Sequence, residues 1–160
     1  MKCLIFSDSH GSSYYIERAV LMHRDAEVVF FLGDGLADIE PLVSKYPSMA
    51  WLSVRGNCDP AFLSPTLQSG SITLSGKKIY YSHGDIHGVK AGMEKAREYA
   101  ENNGVDVFLF GHTHTPYEKY SDGIYYFNPG SIRGSGGTPP SYGIMLILDS
   151  GVLFSHGSFV

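Results

Sequence analysis

The chain has 160 residues, of which 43% are hydrophobic and 18% charged, an ordinary composition for one domain (1–160) with a sizeable core. A net charge of −4 offers no basic surface for a stable nucleic-acid complex, and two cysteines make no disulfide framework. No apolar run reaches the ~18 residues of a membrane span and no signal-like core follows Met1, so the expected setting is the cytoplasm, with no membrane partner.

Residues 3–6 read as a buried strand, followed by a helix over 12–23 with Ile16, Ala19, Val20 and His23 on one face. Residues 28–32 form a second buried strand, 37–46 a short helix with Pro41 in its first turns, and 51–54 a third strand. Strands alternating with helices in this way argue for parallel pairing through right-handed crossovers. Beyond them, 71–74 and 78–82 pair across Ser75-Gly76, and 89–103 is a helix that turns Val89, Met93, Ala96 and Ala100 inward and stops at Gly104. Residues 107–110 are a buried strand, and 117–120 meets 124–127 across Asp122-Gly123. A loop rich in Gly, Pro and Ser over 130–141 precedes a last hairpin of 142–148 and 152–155. The total is about nine strands and three or four helices. The fold class this implies is α/β: a four-layer αββα sandwich, with two mixed sheets face to face and helices outside.

The polar residues at the ends of the buried strands carry the chemistry. Five apolar runs end in Asp8-Ser9-His10, Gly33-Asp34, Gly56-Asn57, His83-Gly84 and Gly111-His112-Thr113-His114. Ligand sites in open α/β sheets gather at the carboxyl ends of strands, so these loops are expected to converge. Together they bring Asp8, His10, Asp34, Asn57, His83, His112 and His114. One divalent ion needs only four to six donors, so this set suggests two ions, with the Asp34 carboxylate as the bridge. Mixed imidazole and carboxylate donors suit Mn, Ni, Fe, Co or Zn better than Ca or Mg. A lone Asp-x-His or Gly-Asp is most often just a turn; five such signals at five strand ends are the informative observation.

The remaining candidates take plainer roles. His23 ends a helix and suits the negative end of its dipole, and His156 lies on the final strand. His87, four residues after His83, is expected in a surface loop, with lining of the site as its alternative. Cys3 belongs to the core, while Cys58 divides evenly between a small buried hydrophobe and a site-lining thiol. Tyr80, Tyr81, Tyr125 and Tyr126 read as strand residues before they read as stacking platforms.

In order and spacing, the five blocks resemble those of the calcineurin-like metallophosphoesterase superfamily, and Asn128-Pro129-Gly130-Ser131 resembles the segment that comes after the last block in its small prokaryotic phosphodiesterase branch. The resemblance implies that Asp8, His10 and His114 hold one ion and Asn57, His83 and His112 the other, with Asp34 shared and Mn the foremost metal. It implies hydrolysis of a small phosphate ester, a nucleotide among the candidates, by a hydroxide bridging the two ions. Asp34, Asn57 and His112 are the catalytic candidates, and Cys58, Asp59, Ser131 and Arg133 the candidates for holding substrate, with Asp59 also suited to orienting a ligand. Many members carry His after the third-block Asn, near the leaving group; here Cys58 stands in its place, as in the small prokaryotic branch. That favours diesters with good leaving groups over a phosphomonoesterase acting on phosphoprotein or nucleotide. A protein-interaction scaffold, as in a retromer subunit, is the alternative from another class. The segments around Asp122 and after Asn128 are candidates for homo-oligomer contacts.

Overall fold

Apolar strands buried on both faces require a layer above and a layer below. In the computed structural model, which describes residues 1–61 and 66–159, that requirement is met by two five-stranded sheets. Strands β1 (Lys2–Phe6), β2 (Val28–Phe31) and β3 (Ala50–Ser53) run parallel, joined by helices α1 (Tyr14–Met22) and α2 (Leu36–Lys45). The chain then builds a second sheet from β4 (Ser69–Leu74), β5 (Lys77–Ser82), β6 (Val107–Leu109), β7 (Pro116–Ser121) and β8 (Ile124–Pro129), with helix α3 (Glu94–Asn102) between β5 and β6. It returns to the first sheet as β9 (Ser141–Leu148) and β10 (Gly151–Ser158). The strand orders are β10-β9-β1-β2-β3 and β4-β5-β6-β8-β7, each mixing parallel and antiparallel pairs.

Strand alternation sorts the side chains into three cores. Ile5, Phe30 and Leu32 face Ile79, Leu109 and Phe127 between the sheets. Leu4, Phe6, Val29 and Phe31 turn the other way, onto Ile16, Val20, Ile39 and Leu42 of α1 and α2. Tyr80, Phe108 and Tyr126 meet Ala96 and Ala100 of α3. Taking each fully buried Phe, Leu or Ile out of water is worth roughly 1.5–3 kcal/mol, so the layer order is strongly specified. The result is the four-layer αββα sandwich. No helix among the described residues is long and apolar enough to cross a membrane.

Four expectations need correction. Ten strands form among the described residues rather than about nine, and the helix expected from 89 starts only at Glu94. A 3-10 turn at Asp85–His87, flanked by Gly84 and Gly88 at positive φ, carries the chain into it, and Val89 packs into the core from non-helical backbone. That turn also tucks His87 inside: its ring is 8% exposed, packs on Tyr80, Tyr99 and Phe108, and lies 2.8 Å from the Tyr80 hydroxyl. His23 does cap α1, but its ring bonds the Tyr142 hydroxyl, and burial, then the Lys2 charge, lower its pKa. The neutral form is favoured, so it offers little charge to the helix end. The 130–141 loop holds buried Ile132 and a Ser135–Thr138 bridge. Cys3 is buried and Cys58 exposed, and both are free.

Candidate metal centre

The carboxyl ends of β1, β2, β3, β5 and β6 lie along one rim, and backbone hydrogen bonds sew their loops together. The amides of Asp8 and His10 donate to the carbonyls of Gly33 and Asp34, each at 3.0 Å, and the Gly111 amide to the His83 carbonyl at 2.9 Å. The loops cross closely enough that a Cβ on Gly33 would sit 2.5 Å from the Gly56 nitrogen, and one on Gly56 would strike Asp34 Oδ1. Only hydrogen fits at either position.

Two triads of donors form on this rim. Donor atoms of Asp8, His10 and His114 lie within 4.8 Å of one another, and so do those of Asp34, His83 and His112. Asp8 Oδ1 is 3.1 Å from His114 Nε2, and His83 Nε2 is 3.1 Å from His112 Nδ1. Asp34 Oδ2 falls between the triads, 3.3 Å from His83 Nε2 and 3.8 Å from His10 Nε2. A third overlapping set joins His10, Asp34 and Cys58. His83 Nδ1 is 2.7 Å from the Leu32 carbonyl, an acceptor that fixes the proton on Nδ1 and leaves Nε2 free as a donor of electrons.

The backbone is held in an uncommon conformation at these positions. Seven non-glycine residues among those described have positive φ, and Asp8, His10, Asp34, His112 and His114 are five of them, at 43° to 66°. Left-handed backbone in non-glycine residues costs on the order of 1 kcal/mol each, and it persists where surrounding structure holds it. Here the holding groups are visible. Asp59 Oδ2 accepts the amides of Asp34 and Gly56, both at 2.8 Å, and Oδ1 those of Gly35 and Leu36, both at 2.9 Å. Asp38 Oδ2 accepts the Ser9 hydroxyl at 2.6 Å and the Gly11 amide at 2.9 Å. Asn128 donates to the Gly111 carbonyl at 2.8 Å and to Thr113 Oγ1 at 3.0 Å, and accepts the Gly130 amide at 2.9 Å.

The electrostatics fit cations. Asp8 Oδ1 is fully buried and accepts no hydrogen bond, although imidazole nitrogens lie 3.1–4.0 Å away. A buried carboxylate oxygen left without a donor is costly unless a cation meets it. Burial would raise the Asp34 pKa, but the His83 ring and the Cys58 amide outweigh it and hold the carboxyl well below the usual range. The Asp8 carboxylate raises the pKa of His114. His83 is pulled down by burial and up by Asp34 and Asp8, with a net rise. The Asp34 carboxylate held ionised beside imidazoles on a shared rim is what a divalent metal requires, and the donor set fits such ions.

The sequence matches the calcineurin-like phosphoesterase superfamily domain over residues 1–150. The chain belongs to that superfamily. By that membership it is a metal-dependent phosphoric ester hydrolase. A probable metallophosphoesterase, YsnB of Bacillus subtilis, is 34% identical over 134 residues, covering 83% of this chain and 76% of that protein. The phosphodiesterase YfcE of Escherichia coli K12 is 29% identical over 176 residues, covering 96% of this chain and 90% of its own. A conserved uncharacterised protein from Streptococcus pneumoniae TIGR4 has the same fold, with a TM-score of 0.83 and 26% identity over 98% of this chain and 88% of that one.

The other sequence candidates of this phosphoesterase fall at varied distances from the rim. Asn57 is exposed, its amide nitrogen 3.3 Å from Cys58 Sγ. Cys58 is exposed and lines a cavity beside the triads, so it is not a small buried hydrophobe. Burial and the neighbouring Asp34 raise its pKa and keep the thiol protonated. Ser131 is buried, its hydroxyl donating to the Asp8 carbonyl at 2.9 Å. Arg133 is exposed and donates from Nη1 to the His10 carbonyl at 3.0 Å. Sequence reasoning missed Asp38 and Asn128. The family-like segment at 128–131 pointed near Asn128; nothing in the helical pattern singled out Asp38.

Proposed function

We propose that the chain is a single-domain phosphodiesterase of a reducing cytoplasm, working with two divalent ions on a small phosphate ester, with a nucleotide among the candidates. The observation that carries this reading is the position of Asp34 Oδ2 between two donor triads, within 4 Å of an imidazole from each. Asp8, His10 and His114 would hold one ion, Asn57, His83 and His112 the other, with Asp34 common to both and Mn²⁺ the foremost metal, Ni, Fe, Co or Zn being alternatives. When bound, such ions polarise a phosphoryl oxygen and lower the pKa of a water to make it a nucleophile near neutral pH. The free cysteines Cys3 and Cys58 suit the reducing setting.

The chain's own groups do the rest. Asp34 stays ionised through the working pH range, because its neighbours depress its pKa. His83 is oriented by the Leu32 carbonyl. His112 has its pKa lowered by burial, then by His83 and Lys90, which favours a neutral ring that can donate to a phosphate oxygen. Cys58 occupies the place from which a leaving oxygen would be protonated. Its thiol, with a raised pKa, is a weak acid there. Rates should therefore fall steeply as the leaving alcohol becomes more basic, which favours diesters with good leaving groups over alkyl monoesters.

The decisive test is Asp34→Asn. Metal-dependent hydrolysis of a model aryl diester should drop by about 10²–10³-fold while the circular dichroism stays unchanged. Turnover near that of the unmodified protein would refute the shared role of Asp34. Activity should vanish with chelator and return with Mn²⁺. Silence with every transition metal offered would favour the protein-interaction scaffold instead, and faster turnover of a model monoester would favour the phosphomonoesterase.

A further inference from the structure

Beside the triads, the first turn of α2, the turn at 34–35 that leads into it and the loop at 58–60 border a cavity of about 470 Å³. Its volume suits a small organic group. Its inner wall is His10, Asp34 and Cys58, whose donor atoms lie within 4.8 Å of one another, so anything in the cavity lies against the metal centre. Leu36, Ala37 and Pro60 give the outer wall an apolar character. Its charge is one-sided. Glu40 lines the cavity with no ion pair among the described residues, and Asp38 has its charge beside it although Ser9 and Gly11 satisfy one of its oxygens. Among the described residues, no lysine or arginine lines the cavity. Arg133 is not among the lining residues; its Nη1 is held on the His10 carbonyl at 3.0 Å. The groove beside the centre thus presents fixed negative charge to whatever enters it.

We propose that this groove holds the leaving alcohol of the substrate and that Glu40 makes it reject alcohols carrying a second negative charge. The inference rests on the phosphodiesterase reading and narrows it to a substrate class. The preferred diesters carry their only negative charge on the reacting phosphate, with a neutral or cationic leaving alcohol: a polyol, an unphosphorylated nucleoside or an amino alcohol. The apolar wall takes the carbon skeleton, and an alcohol bearing another phosphate or a carboxylate is repelled.

The test uses the full chain with Mn²⁺ and three methyl aryl phosphates whose leaving phenol bears a meta carboxylate, carboxamide or trimethylammonium group. Each rate is divided by that of the uncatalysed reaction. A unit charge about 8 Å away near a protein surface changes a rate roughly three- to tenfold, and the change shrinks with added salt. From carboxylate to carboxamide to ammonium, kcat/KM should rise by about that factor at each step. Glu40→Gln should flatten the series and Glu40→Lys should invert it. A second set places the same three groups on the retained alkyl ester, with nitrophenol leaving, and should not respond to residue 40. A charge preference unmoved by both substitutions overturns the inference while the phosphodiesterase reading stands. So does a residue-40 effect confined to the second set. No turnover of any of these esters overturns both.

Discussion

The loops above the first sheet and those above the second reach the same rim by different means. At 8–11, 33–36 and 56–59 the clasps are carboxylates: Asp38 and Asp59 accept five backbone amides and one hydroxyl between them. At 83 and 111–114 neutral groups do most of this work: the Leu32 carbonyl orients His83, and the Asn128 amide donates to Gly111 and Thr113, beside a single carboxylate contact in which Asp8 Oδ2 accepts the His112 amide at 3.1 Å. The difference comes from which end of the peptide faces inward. Asp34 and Gly35, both at positive φ, aim successive N–H groups at one point, a concavity that calls for an anion. Where the 111–114 loop turns a carbonyl and a hydroxyl toward Asn128, the partner must be a donor; where it turns the His112 amide inward, the partner is again a carboxylate, Asp8. A left-handed backbone therefore does not fix its own stabiliser; the exposed peptide pole does.

This contrast can be broken by experiment. Asp59→Ala strands four amides and should cost about 3 kcal/mol or more, read from denaturant midpoints with an unchanged slope. Asn128→Ala removes three weaker, neutral bonds and should cost about 2 kcal/mol, with metal affinity by calorimetry falling about tenfold. If the two variants were equally destabilised, the distinction between anionic and neutral clasps would lose its energetic content. The smallest effect belongs to His87, on the far side of β5. Burial lowers its pKa from the ordinary 6.5, with Asp85 opposing. The unfolded chain then takes up the proton more readily than the folded one. Its contribution to stability is complete above pH 6.5 and is lost as the pH falls below that value. His87→Phe should therefore soften the acid-side loss of stability in a pH series, and an unchanged acid limb would remove His87 from the account.

Much of this could be read along the chain because burial and chemistry alternate cleanly there. Strands such as 28–32 are apolar on every residue, since each face meets another layer, and their ends stand out when a Gly-Asp or Gly-His comes next. The convergence of donors from residues 8 to 114 was expected for that reason, while their division between two ions came from the family resemblance. The clasping role of Asp59 was not, because an acidic residue beside Asn57 and Cys58 looks the same whether it meets a substrate or four backbone amides. His87 was misplaced because a 3-10 turn has no periodicity to show which side chain it buries. The left-handed backbone at Asp8 and His112 left no trace at all, since no glycine marks either position.

Asp8, His10 and Asp34 belong to the first sheet, and His83, His112 and His114 to the second, and each triad draws on both. An ion seated in either triad is thus a rivet through the sandwich, closing the seam between its two halves. Metal at a hundred times its dissociation constant would add about 2.7 kcal/mol to the unfolding free energy. That gain would be felt by the molecule as a whole, raising its melting temperature and slowing amide exchange in β2 and β6 alike, far from the rim itself.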